Sequence, residues 1–264
     1  MEEFKYMDLL DVVPIENGAS LDVVVDLLNV TKQAMKLGIR FDANALIDAL
    51  HAKVGRNGNV LIRTFTWDFC HGKGYNIKKT VGQSGSLGNL AMKRPDYKRT
   101  KHPIYNWTIW GKDRDELCSI DNKEAFDLES IFAWEEKNPK AYQLVIGRPK
   151  TNGMTVFHYM EYKVQVPYRF VKDFVGPYTD YDGLTTKKTY SMYVRDLKYD
   201  IETSDEFYIP MLEQQGIKVN GYYNGILVEL YKLDQVCSLY EEDFRKNGIP
   251  SGVTITPVAE GGIS

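Results

Sequence analysis

Cysteine is scarce in this 264-residue chain, and Cys70, Cys118 and Cys237 are an odd, scattered set with no CxxC spacing. That excludes a disulfide framework and a cysteine-built structural zinc site, and points to three reduced thiols with no metal. Also lacking is any run of about 18 apolar residues of the kind that spans a bilayer. The acidic start Met1-Glu2-Glu3 is unlike a secretory signal. Charge of one sign is missing too: 33 Lys and Arg against 36 Asp and Glu leave a formal net charge of -3 and no global basic field for nucleic acid. No internal repeat or low-complexity block is present. These absences lead us to expect a cytoplasmic protein with no nucleic acid and no membrane as partner.

What is present suffices for a full core. Hydrophobic residues make up 43% of the chain and charged residues 26%, which excludes disordered and fibrous classes. Leu21 to Leu28 is a compact β-branched run, and Thr31 to Leu37 has helical composition and stops at Gly38. Asp42 is suited to cap a helix over Ala43–Val54, which puts Leu46, Ile47 and Leu50 on one face before Gly55. Asn59–Phe65 reads as a strand, and Ala141 to Gly147 as a buried strand that breaks at its glycine. Strand, helix, helix, strand is the rhythm of a layered α/β/α domain around a central mixed sheet.

Two irregular stretches interrupt that rhythm. Residues 70–96 carry Gly72, Gly74, Gly82, Gly85 and Gly88, and Asp113 to Pro139 mixes charge with aromatics. Long irregular segments inside a domain tend to be functional, so the first is expected to face a ligand. The C-terminal part looks antiparallel: Lys188 to Val194 alternates like a strand, and Asn224-Gly225 is a hairpin signal between Ile217–Val219 and Ile226–Leu233. We expect one domain over residues 1–264 with a smaller antiparallel β-rich portion at about 185–233. Asp234 to Lys246 reads as a last helix, and Pro250 to Ser264 as a frayed, glycine-rich tail.

Several residues invite chemistry. If Thr155 starts a helix, His158 and Glu161 stand at i and i+3 on one face, an arrangement that suits a general base and its orienting acid. The same spacing also serves an ordinary helical hydrogen bond. His102 precedes Pro103, which biases it towards extended backbone at a loop or strand end. Lys93, Arg94, Lys98, Arg99 and Lys101 follow the glycine-rich stretch and read either as a phosphate-docking surface or as a solvated face. Thr64 and Thr66 lie at the end of the Asn59–Phe65 strand, where ligand clefts of α/β sheets open. Cys70-His71 suggests a covalent route, yet adjacent residues on a strand point to opposite faces.

Thr64-Phe65-Thr66-Trp67, Arg99-Thr100-Lys101-His102-Pro103-Ile104-Tyr105, Trp110-Gly111-Lys112 and Thr155-Val156-Phe157-His158-Tyr159-Met160-Glu161, followed by Val166-Pro167-Tyr168-Arg169, fall in a telling order. With that order and spacing the chain resembles the aminoglycoside 3-N-acetyltransferase family. The resemblance implies an acetyl-CoA-dependent N-acetyltransferase acting on an amine of an aminoglycoside or related amino sugar, by direct attack on the thioester. It implies His158 as base with Glu161 beside it, and Arg99 and His102 along the cofactor and substrate cleft, with Thr64 and Thr66 kept as cofactor-binding candidates from their place at the strand end. It argues against a Cys70 nucleophile. The family also includes proteins of bacterial surface-sugar biosynthesis, so a nucleotide-linked amino sugar is the alternative acceptor, and a non-catalytic CoA- or sugar-binding protein the alternative role. Asp121, Glu124, Asp127 and Glu129 are candidates to hold the ammonium groups of an antibiotic. Many members carry His-Ser-Ser after the first core strand, where this chain has Asp26-Leu27-Leu28.

Overall fold

The computed structural model describes residues 3–147, 155–203 and 205–258. A short helix, α1 (Tyr6–Asp11), leads into β1 (Ser20–Val25). The strand ends at Val25, not at Leu28, because Asp26 leaves the sheet and caps α2 (Leu27–Lys36), its Oδ1 accepting from the Asn29 amide at 3.0 Å. α3 (Ala43–Val54) starts at its Asp42 cap and stops before Gly55, and β2 (Asn59–Phe65) follows.

The glycine-rich stretch is more ordered than a plain loop. It holds a 3-10 turn over Trp67–His71, then β3 (Tyr75–Asn76), α4 (Ser86–Ala91) and β4 (Lys98–Arg99), before β5 (Tyr105–Gly111). The second irregular stretch likewise contains α5 (Arg114–Leu117) and α6 (Ile131–Lys137), the latter capped by the Ser130 hydroxyl. β6 (Ala141–Ile146) is buried along its whole length, and α7 (Val156–Lys163) follows. The chain continues through β7 (Arg169–Thr179), β8 (Thr185–Arg195), β9 (Tyr199–Thr203) and α8 (Asp205–Gln214). It closes with β10 (Lys218–Tyr223), β11 (Ile226–Lys232), α9 (Leu233–Asn247) and β12 (Val253–Pro257).

Seven strands form the central sheet in the order β10-β11-β6-β1-β2-β5-β4. β6, β1 and β2 run parallel and the outer pairs antiparallel, so the sheet is mixed. One face packs on α1, α2, α3 and α4 through Leu9, Val30, Leu46, Leu50 and Leu87; the other packs on α6, α7 and α9 through Phe132, Tyr159, Met160 and Val236. This is the expected α/β/α layering.

The β-rich portion is arranged differently from a single appendage. β7 and β8 pair over 11 residues each and join β3 in a separate three-stranded sheet, whereas β10 and β11 extend the central sheet. The span 185–233 thus contributes strands to three sheets, since β9 pairs with β12, and the β7–β8 hairpin that leads into it begins earlier, at Arg169. Asn224 and Gly225 make the β10–β11 turn with φ of 49° and 76°. Where a frayed tail was expected, β12 pairs antiparallel with β9; residues 259–264 lie outside the described residues.

Candidate active site

The site is built where β6 gives way to α7. Gly147, with φ of 83°, lies so close to α2 that a Cβ would sit 2.6 Å from Val30 Cγ2, so the chain can turn here only without a side chain. Val156, Tyr159 and Met160 bury the inner face of α7, spaced as one helical stripe. His158 and Glu161 share the neighbouring face, as the spacing predicts: His158 Nδ1 is 2.8 Å from Glu161 Oε2, with the ring side chain 41% exposed and the carboxylate 7%. A buried carboxylate thus backs an open imidazole.

Two residues missed by sequence reasoning complete the arrangement. The Tyr168 hydroxyl donates to Glu161 Oε1 at 2.9 Å, and Arg169 Nε stands 2.8 Å from Oε2. That Nε–H is not aligned on the oxygen, so the Arg169 contact is ionic and not a directed hydrogen bond. Burial opposes charge on Glu161, but the hydrogen bond from His158, the charges of His158 and Arg169, and the Tyr168 hydroxyl outweigh it and hold the carboxyl below its ordinary range. In the tautomer that carries the proton on Nδ1, His158 donates to the ionised Glu161 and keeps Nε2 as the ring's acceptor. The only sequence trace of the Tyr168 and Arg169 roles is the Val-Pro-Tyr-Arg segment. Their roles emerge because the chain turns at Gln165, with φ of 55°, and folds back onto α7.

The other anticipated residues lie deeper. Arg99 is 2% exposed; its Nε donates to Asn106 Oδ1 at 2.7 Å, its Nη2 to Thr64 Oγ1 at 3.3 Å and its Nη1 to the Thr80 carbonyl. Thr64 in turn donates to Asn106 Oδ1. The result is a buried knot behind the glycine-rich segment, in which Gly82, Gly85 and Gly88 press against Thr64. Thr66 is also buried, its amide bonded to the Ile104 carbonyl at 3.1 Å. His102 stands apart from this knot. Its Nδ1 accepts from the Ile104 and Tyr105 amides at 3.3 and 3.2 Å and its Nε2 donates to the Ser191 carbonyl at 3.3 Å, while burial pushes its titration down to about 4. It is a neutral brace. Ring contacts Phe65–Tyr105, Tyr105–Phe126 and Phe126–His158, at 4.7, 4.9 and 6.4 Å, connect the end of β2 to the dyad.

Cys70 and His71 do not cooperate. His71 Nδ1 bonds the Trp67 carbonyl at 3.0 Å, and burial pushes the Cys70 thiol up to about 11. Of the acidic candidates, Asp121 is taken up by Lys188 and Tyr190 at 3.0 and 2.8 Å. Burial pushes Glu124 up to about 7. Among the described residues no group of three or more His, Cys, Asp or Glu is arranged to hold a metal ion, and no helix is long and apolar enough to cross a membrane.

The same architecture recurs in solved structures. AAC-IIIb, in a binary complex with CoASH, gives a TM-score of 0.76 at 13% identity, covering 95% of this chain and 100% of that one. Aminoglycoside acetyltransferase AAC(3)-Xa gives 0.73 at 17% identity, covering 88% of each chain. The YokD protein of Bacillus subtilis gives 0.70 at 18% identity, covering 92% and 98%. At such identities the likeness is one of fold, and the fold is that of the aminoglycoside acetyltransferases. Residues 32–236 match the family model for aminoglycoside 3-N-acetyltransferase, and the chain belongs to that family of enzymes. No curated protein matches it by sequence.

Proposed function

We propose that this protein transfers acetyl from acetyl-CoA to an amine of an aminoglycoside or related amino sugar, by direct attack of the amine on the thioester. The observation that carries the reading is the exposed His158 ring held at 2.8 Å by buried, ionised Glu161. Membership of the family supports it, as do relatives of the same fold: AAC-IIIb solved with CoASH, AAC-VIa bound to sisomicin, and an AAC(3)-IVa variant in complex with apramycin.

In this mechanism His158 Nε2 takes a proton from the acceptor nitrogen as its lone pair forms a bond to the acetyl carbonyl carbon. The tetrahedral intermediate collapses, the carbon–sulfur bond breaks, and the CoA thiolate leaves and receives a proton. Glu161 stays charged beside the imidazolium that forms in between. We assign Thr64, Thr66, Arg99 and His102 to the cofactor wall from behind, since Thr64 and Arg99 fix Thr80 and the glycines that form its surface. We place the reaction in the cytoplasm, where acetyl-CoA is available.

His158→Ala should lower kcat by roughly 10²- to 10⁴-fold with CoA affinity by calorimetry nearly unchanged, and Glu161→Gln should be milder. A folded His158→Ala protein that acetylates an amino sugar at near wild-type kcat would place the base elsewhere. Wild-type protein that binds CoA but turns over no amino sugar would instead be a non-catalytic CoA-binding protein.

A further inference from the structure

A glutamate carboxylate turns about a broad, two-fold torsion, so nothing in its own side chain fixes which oxygen meets which partner. Glu161 is nonetheless held at both oxygens. Oε2 faces His158 Nδ1 and Arg169 Nε, each at 2.8 Å, and Oε1 accepts from the Tyr168 hydroxyl at 2.9 Å. Tyr168 is 0% exposed, so its bond to the carboxylate is made away from competing water. The turn that delivers Tyr168 is pinned in its own right, because the Tyr193 hydroxyl donates to the Val166 carbonyl at 2.9 Å.

Behind Tyr168 stands a second phenol. Tyr240 of α9, also buried, hydrogen-bonds the Tyr168 hydroxyl. Tyr168 has a single hydroxyl proton and gives it to Glu161, so Tyr240 is the donor of the second bond. Burial pushes both phenols up, which keeps both protons in place. The Tyr240 ring stacks on Phe157 and on Tyr208, at 5.6 Å from each, and Phe157 is the α7 residue next to His158. Donors therefore point one way, from α9 through Tyr168 to Glu161.

We propose that Tyr168 and Tyr240 are positioning residues, a buried chain of two hydroxyls that fixes the rotation of the Glu161 carboxylate and so keeps Oε2 on the His158 ring. The role rests on reading His158 as the base. Neither phenol touches substrate or a reacting atom. Without Tyr168 the carboxylate is free to turn, and the ring loses the steady partner that aims Nε2 at the acceptor amine.

Tyr168→Phe in the full chain removes one hydroxyl and keeps the ring. With acetyl-CoA and the acceptor used for wild type, it should lower kcat by roughly 10-fold, the low end for a hydrogen bond to a charged group. Both KM values, and CoA affinity by calorimetry, should stay at the wild-type level. The same substitution made in Glu161→Ala should cost nothing further, because the hydroxyl acts only through that carboxylate. A general loosening of the fold would lower kcat in both backgrounds. Tyr240→Phe should show a smaller loss that likewise vanishes in Glu161→Ala, and it decides the question if Tyr168→Phe does not fold. A folded Phe variant with wild-type kcat, or with an equal loss in both backgrounds, would overturn the proposal. The two readings fail separately: an active His158→Ala protein removes the base, whereas an inactive one with an unimpaired Tyr168→Phe removes only the role of the phenols.

Discussion

Glu124 is a residue whose surroundings shape pH behaviour. It is 8% exposed, its Oε2 has no partner among the described residues, and burial pushes it to about 7 from 4.5, with Asp127 and Asp173 adding to the rise. A carboxyl raised on folding binds more protons in the native state, so it costs nothing below the unfolded value near 4.5 and most above about 7. Glu124→Gln should therefore match wild type in urea at pH 4 and exceed it at pH 8 by roughly 1–3 kcal/mol. Equal stability of the two proteins at pH 8 would show that Glu124 is not desolvated. A different solution serves Arg63, which is paired with Asp22 at 2.7 and 2.9 Å inside the core. There burial, and then the Asp22 charge, push neighbouring Glu135 far up, so the cluster holds one cation and one anion with a neutral acid beside them.

Among the elements, the glycine-rich segment is the one we propose faces the cofactor. Its composition suggested an open loop, yet backbone bonds fasten it to β2: the Gln83 amide donates to the Phe65 carbonyl at 2.7 Å and the Phe65 amide to the Ser84 carbonyl at 3.1 Å. Gly85, with φ of 91°, permits this docking, because a Cβ there would lie 2.2 Å from the Arg63 carbonyl oxygen and 3.0 Å from Thr64 Cα. Both obstacles are backbone and cannot swing aside. Gly85→Ala should destabilise the protein by more than about 2 kcal/mol in urea and weaken CoA binding along with it. A variant that loses neither would detach this loop from the cofactor wall. β7 was the element hardest to anticipate. Phe170, Val171 and Val175 are all exposed, the first two on opposite faces, so its sequence carries no clean two-residue alternation, and its strand character comes from pairing with β8.

On the scale of the whole molecule, α7 is clamped to its neighbours α6 and α9 in one helical layer. Lys163 at its end joins Glu136 of α6 at 2.6 Å and Glu241 of α9 at 2.9 Å, and Phe157 stacks on Tyr240 at 5.6 Å. The dyad therefore rides on a rigid frame, and a ligand that binds the folded state should stabilise the frame by mass action. Acetyl-CoA should raise Tm progressively with concentration, and His158→Ala should show the same rise if the base does not hold the cofactor. A Tm indifferent to acetyl-CoA up to millimolar levels would count against cofactor binding.

The α/β/α layering, the α3 boundaries, β2, and the His158–Glu161 spacing were all determined by the sequence itself, because each depends on local periodicity, a cap, or residues three apart on one helix. The Asn224-Gly225 turn was equally local. Only the tertiary structure decided that β10 and β11 belong to the central sheet, since strand partners are chosen by packing across long stretches of chain. It also decided that Arg99 turns inwards to Asn106 and Thr80, and that His102 is a neutral brace. Tyr168 and Arg169 reach Glu161 only after the chain reverses beyond α7. A charged or titratable side chain looks alike in sequence whether it faces solvent or partner, and its chemistry is set by the neighbours that folding brings to it.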